Sequence, residues 1–217
     1  MPLKHHDFIE VEYTGKTLDD NLVFDTTDEL IAKENRIYSE RAYYGPVIIC
    51  LGEGHLIKGL DEKLIGKDVG EYEFELTPEE GFGKKEARLI QLIPTAKFRQ
   101  QHIQPIPGLQ VNIDGMVGTV KTVSGGRTIV DFNHPLSGKR LHYKIKVNRI
   151  VTDKKEQITA IIRMFLGIRN PKVELNDTTV TINLETKLPK QVEEALIKKI
   201  KELTGIEKIQ FSSKKQQ

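Results

Sequence analysis

Two apolar, β-rich stretches of this chain, residues 8–28 and 45–83, read as parts of one compact core, yet the strand that should complete that core lies at 141–147. Between the halves sits an inserted stretch, roughly 84–132, with a strand pattern of its own. The interrupted core is rich in aromatic and aliphatic residues and carries no cluster of nucleophile, base or metal ligands. Such a set suits binding and desolvation better than chemical attack.

The totals set bounds. At 217 residues the chain can hold one large domain or two to three small ones. A hydrophobic content of 38% with 29% charged residues is ordinary for a globular protein. A net charge of +2 gives no strong field toward nucleic acid or an anionic membrane, so neither is expected as a partner. Cys50 is the only cysteine, which excludes an intramolecular disulfide and fits a reducing compartment. The N-terminus has no apolar signal core, and no apolar run reaches the ~20 residues that span a bilayer. A cytoplasmic protein is expected.

Local patterns give the organisation. Residues 8–13 alternate as a half-buried strand, with the alternation broken near Phe8. Thr14-Gly15 reads as a bend, Leu22-Val23-Phe24-Asp25 as a second strand, and 28–44 as a long polar loop with at most one helical turn. Residues 46–51 form a short, almost wholly apolar strand. Leu56, Leu60 and Leu64 recur every four residues, which predicts a short helix over about 56–65. Tyr72, Phe74 and Leu76 alternate along another strand. The insert reads as a small antiparallel meander with Asp114-Gly115 as its hairpin signal. After residue 152 comes an α-β-β-α-β order, with a hairpin turning at Asn176-Asp177 and a tail from Ser212 that should fray. The expected class is α+β. Its parts are a first domain from 1–83 and 133–152, an insert from 84–132, and a C-terminal α/β domain from 153–217. The last is small enough to need docking or self-association, and a homodimer through it is the expected use.

Familiar catalytic motifs fail on their residues. Gly52-x-Gly54-x-x-x-x-Gly59 is followed by Leu60-Asp61, not the Lys-Ser/Thr of a phosphate loop, and Ile57 stands where a dinucleotide fingerprint needs glycine. The six histidines are scattered apart from His5-His6, which lie at what reads as a frayed terminus, so no metal site and no cofactor is expected. The lysines of the C-terminal part, Lys198, Lys199, Lys201, Lys208, Lys214 and Lys215, are interleaved with acids and read as a solvated face.

The remaining residues are Tyr13, Phe24, Asp25, Val47, Leu56, Ile57, Leu60, Phe82 and Tyr143. Asp25 follows Phe24 on an apolar strand and needs a donor such as a tyrosine hydroxyl. Phe82 sits in a Gly81-Phe82-Gly83 turn with little core to fill. In the insert, Leu92, Ile93, Met116 and Val117 exceed what a small meander can bury, and exposed apolar patches mark binding sites.

At Val11-Glu12-Tyr13-Thr14-Gly15, Phe24-Asp25-Thr26-Thr27, residues 51–60 and Pro78-Glu79-Glu80-Gly81-Phe82-Gly83, the sequence resembles the FKBP-type peptidyl-prolyl isomerases. The insert and the segment 131–139 after it resemble the SlyD subgroup, whose chaperone domain is inserted in the flap, and the C-terminal part resembles the long archaeal members. The resemblance implies an FKBP-like antiparallel sheet around a short helix. It implies a prolyl pocket walled by Tyr13, Phe24, Leu56, Ile57, Phe82 and Tyr143, with Leu60 as its floor, Asp25 ordering it, and His134 and Leu136 at the rim. Phe82 stands where relatives often have tyrosine, so it offers no hydroxyl. The expected activity is cofactor-free isomerisation of X–Pro bonds in unfolded or folding chains, which the insert captures and hands to the pocket. A holdase without isomerase activity is the alternative.

Overall fold

The protein is described from a computed structural model covering residues 1–176, 179–184 and 187–213. Asp177 of the expected hairpin turn, and Lys214 and Lys215, lie outside the described residues. The fold is α+β, built on mostly antiparallel sheets, and its backbone contacts divide it into two compact units, one of residues 1–76 with 141–217 and one of residues 77–140.

In the first unit, β1 (Phe8–Thr17) pairs with β9 (Leu141–Ile150) along one edge. Its other edge is shared end to end by β3 (Val47–Cys50) and β2 (Val23–Thr26). β4 (Gly70–Leu76) pairs with β9 on the far side. Leu76 and Leu141 are Cα partners, so the chain leaves this sheet and rejoins it at adjacent positions.

Alternation assigns the faces of this sheet. Leu141, Tyr143, Ile145 and Val147 are buried, while Lys144 and Lys146 between them reach solvent. Helix α2 (Lys58–Leu64) packs against β4 and covers the apolar face with Leu60 and Leu64, which are completely buried. The polar segment 28–44 contains α1 (Glu29–Glu34), whose first amides are capped by the Asp28 carboxylate at 2.8 and 3.0 Å. The N-terminus does not fray. Leu3 is buried and exchanges backbone hydrogen bonds with Lys67 and Gly66.

The C-terminal segment belongs to the same compact unit. It runs α4 (Lys154–Leu166), β10 (Lys172–Asn176), β11 (Thr179–Leu184), α5 (Lys190–Thr204) and β12 (Lys208–Ser213), the order read from the sequence. Asp153 caps α4, and Gly167 and Gly205 end the two helices in left-handed conformation, which glycine adopts without a Cβ penalty. Ser212 and Ser213 lie in β12, which pairs in parallel with β11.

The docking expected of so small a segment is met within the chain. Phe8 and Cys50 pair across β1 and β3 on the face opposite Ile9 and Ile49, and they share one core with Val151, Ile158, Ile161, Ile162, Leu196 and Ile200. Both faces of β3 are therefore buried, which accounts for its unbroken apolar run and for the lost alternation at Phe8. Each such side chain taken from water contributes ~1.5–3 kcal/mol.

The second unit is a four-stranded antiparallel sheet. β6 (Gln110–Ile113), β7 (Met116–Ser124) and β8 (Arg127–Asp131) form the expected meander, and β5 (Ile90–Pro94) adds beside β8. Helix α3 (Thr95–Gln100), absent from the sequence reading, follows Pro94 and buries Phe98 against Ile93, Val111, Val120 and Val130. No described helix is long and apolar enough to cross a membrane.

Candidate functional site

Three aromatic rings meet on the apolar face of the first sheet. Tyr143 of β9 is the Cα partner of Gly15 of β1. Its ring centroid lies 6.1 Å from that of Tyr13 and 5.8 Å from that of Phe24, the latter edge to face. Gly15 is what permits this. A Cβ there would stand 2.8 Å from Cε1 and Cζ of Tyr143 and 3.0 Å from Cζ of Phe24. The glycine read as a bend is in fact an extended strand residue whose missing side chain leaves room for the rings.

The Tyr13 hydroxyl donates to the Asp25 carboxylate, which also accepts the Thr26 amide. Burial raises the Asp25 pKa, and these two hydrogen bonds partly offset it. Burial first, and then the neighbouring Asp25 charge, raises the pKa of both Tyr13 and Tyr143, so both phenols stay neutral donors at physiological pH. Asp25 thus has its donor in the Tyr13 hydroxyl. The Cys50 thiol is buried and pushed up to about 12 by desolvation, which makes it inert as a nucleophile.

Leu56 is buried and Ile57 half-buried, immediately before α2, and Leu60 on its first turn is fully buried. The loop before them is tied down twice. Nδ1 of His55 accepts the Cys50 amide at 3.1 Å, and Asp61 accepts the Gly52 amide at 2.9 Å. Val47 is half-buried and paired with Val11, on the sheet face that carries Tyr13 and Gly15.

Phe82, His134 and Leu136 belong to the second unit. The Phe82 ring stacks on the His134 imidazole at 4.5 Å, and the Phe82 carbonyl accepts the Ser137 hydroxyl at 3.0 Å. Leu136 is half-buried, and its amide donates to Nδ1 of His134 at 3.2 Å. Two segments distant in sequence are thereby pinned together.

The four apolar candidates of the insert separate. Leu92 and Val117 are exposed on one face of its sheet, where strand register adds Ile90 and Ile129. Ile93 is a correction. It alternates to the other face and is buried in the insert core, so it is not a surface residue. Met116 is exposed at the margin of that core face, opposite Val117. Ile90 and Ile129 could have been added by applying the period of two to 89–93 and 128–132.

Asp131 holds the base of the insert. Its buried carboxylate accepts Lys85 Nζ at 2.8 Å and the Asn133 amide group at 2.8 Å, while Asn133 in turn accepts the Glu86 amide at 2.8 Å. Burial opposes its ionisation, but Lys85 and Asn133 win and hold the carboxyl down at about 2.

A family model described as FKBP-type peptidyl-prolyl cis-trans isomerase matches residues 2–101, and one described as FKBP26, IF domain matches 91–136. The chain is 36% identical over 149 residues to the short-type peptidyl-prolyl cis-trans isomerase of Methanocaldococcus jannaschii, covering 68% of this chain and 94% of that one. It is 34% identical over 110 residues to the FKBP-type 16 kDa peptidyl-prolyl cis-trans isomerase of Escherichia coli K12, covering 48% and 74%. It is 28% identical over 132 residues to the FKBP-type peptidyl-prolyl cis-trans isomerase SlyD of Haemophilus influenzae, covering 58% and 69%. Likeness that runs through the aromatic sheet, the short helix and into the insert establishes that this chain belongs to the FKBP-type peptidyl-prolyl cis-trans isomerase family, an isomerase family, on its SlyD-like side.

Proposed function

We propose that the chain accelerates X–Pro isomerisation in unfolded or folding polypeptides by desolvating the prolyl amide against the rings of Tyr13, Phe24 and Tyr143, with Val47, Leu56 and Ile57 as further apolar walls and Leu60 as the floor. The observation that carries this is the meeting of the three rings over Gly15, with the Asp25 carboxylate engaged by the Tyr13 hydroxyl. Rotation about the amide faces ~18–20 kcal/mol from resonance. The planar amide is more polar than the twisted transition state, so an apolar surface disfavours the ground state more than the transition state. A thousandfold acceleration needs only ~4 kcal/mol of that barrier, within reach of desolvation without a covalent step. The insert offers a face with exposed Ile90, Leu92 and Val117 and half-buried Ile129, and we assign it the capture of unfolded segments.

The test is isomerisation of a proline tetrapeptide by the intact chain, followed by proline-limited refolding of a protein substrate. Tyr13→Ala is expected to lower kcat/KM by ~10-fold or more, through loss of the ring and of the Asp25 contact. Equal rates for the variant and the parent would overturn the assignment. The exposed insert face favours a second reading, a holdase without isomerase activity. It predicts suppressed aggregation with no effect on the tetrapeptide.

A further inference from the structure

The loops at the two ends of β3 both touch the C-terminal segment. The first, residues 38–46, leads into Val47; the second, residues 52–57, ends in Leu56 and Ile57. On the second loop, Lys199 of α5 forms an ion pair with Glu53, whose side chain is only 12% exposed, and His6 approaches the same carboxylate at 3.4 Å. On the first loop, the Arg169 guanidinium donates to the carbonyls of Glu40 and Ala42, the latter at 2.9 Å. Arg163 of α4 lies over the Tyr43 ring at 4.7 Å and donates from Nε to the Arg169 carbonyl at 2.9 Å, which joins the two arginines. Between the grips runs the shared core of Phe8, Cys50, Ile158, Ile162, Leu196 and Ile200.

Core burial alone would dock the segment. It does not call for charged side chains reaching past the core onto two loops that both flank the same strand. A buried-edge carboxylate such as Glu53 also has to be matched, because an uncompensated charge in such a place is costly. We propose that the C-terminal segment is a positioning element of the isomerase site: Lys199, through Glu53, and Arg169, through the Glu40 and Ala42 carbonyls, hold the loops that set Val47, Leu56 and Ile57. This rests on the site proposed above. The hold acts where substrate is bound, so its loss appears in KM.

The test is charge reversal at the second grip, read in two ways. In the tetrapeptide assay, Lys199→Glu is expected to raise KM several-fold with kcat within about twofold of the parent, the pattern of lost uniform binding. Lys199→Arg should match the parent, and the swap Lys199→Glu with Glu53→Lys should recover most of the affinity. In amide hydrogen exchange on the intact chain, Lys199→Glu should lower protection across residues 52–57 while leaving α4 and α5 protected. A parent chain without isomerase activity would remove the site reading, and the exchange result would still decide the hold. Unchanged protection at 52–57, or an active parent whose KM does not move, overturns the inference, as does a swapped pair that stays as impaired as the single variant. Should Lys199→Glu fail to fold, Arg169→Met, read by KM and by exchange over residues 38–46, carries the same expectations.

Discussion

Gly15→Ala isolates the close approach on which the proposed site depends. Gly15 is an extended strand residue outside the left-handed region, so alanine fits the backbone there. Through the unfolded chain alone the substitution would stabilise by ~0.4–1 kcal/mol. Against that, the new Cβ would sit 2.8 Å from two Tyr143 ring atoms and 3.0 Å from Phe24. Ordinary carbon contacts are about 3.5–4.0 Å, so the rings must retreat by roughly 0.7 Å or more. Tyr143 is 3% exposed and cannot swing into solvent, and overpacking of this kind costs ~1–3 kcal/mol. Net destabilisation of roughly 0–2.5 kcal/mol is expected from the difference of these two terms. The functional loss is expected to be larger than the stability loss, because the displaced rings are walls of the proposed pocket and displacements near 1 Å cost up to ~100-fold in rate. Thermal unfolding measured beside tetrapeptide kcat/KM gives both numbers on one sample. A Gly15→Ala chain with parental kcat/KM would refute the reasoning, whatever its stability.

Two further outcomes are expected. The Asp131 carboxyl is held low, at about 2, so its ionised form supports the insert above the unfolded value near 4, and that support is lost as pH falls between about 4 and 2; amide exchange of residues 90–131 should show the insert loosening in that window, and Asp131→Asn should remove the pH dependence while loosening the insert at neutral pH. Ending the chain after Val151 would uncover Phe8, Ile48 and Cys50, so the shortened chain should aggregate or melt at lower temperature than the intact one instead of yielding a stable monomer; a well-behaved truncated chain seen by light scattering and calorimetry would contradict the shared core.

What the sequence made legible follows from which interactions are local. Strand alternation placed Tyr13, Tyr72 and Phe74, and four-residue spacing placed Leu60 and Leu64 on one side of α2, with Leu56 just before it, because each pattern is complete within a few residues. Helix α3 was missed because it has six residues, follows Pro94 and has no side-chain cap, leaving neither period nor boundary to read. Ile93 differs from expectation because the strand divides the apolar run 89–93 between two faces, and only one of them is open to solvent. The role of Gly15 could not be read at all: it exists only once β9 lies beside β1, and the partner ring comes from beyond the insertion.

Residues 46–51 read as wholly apolar, and the alternation of the first strand failed at Phe8. In a sheet covered on one side only, both observations are anomalies. They are explained together by a second layer on the opposite face, which is where α4 and α5 pack. The same two strands therefore serve the site on one face and the C-terminal segment on the other. A change in the packing or charge of that segment has a short physical route to Val47, Leu56 and Ile57, through β3 and the loops at its ends.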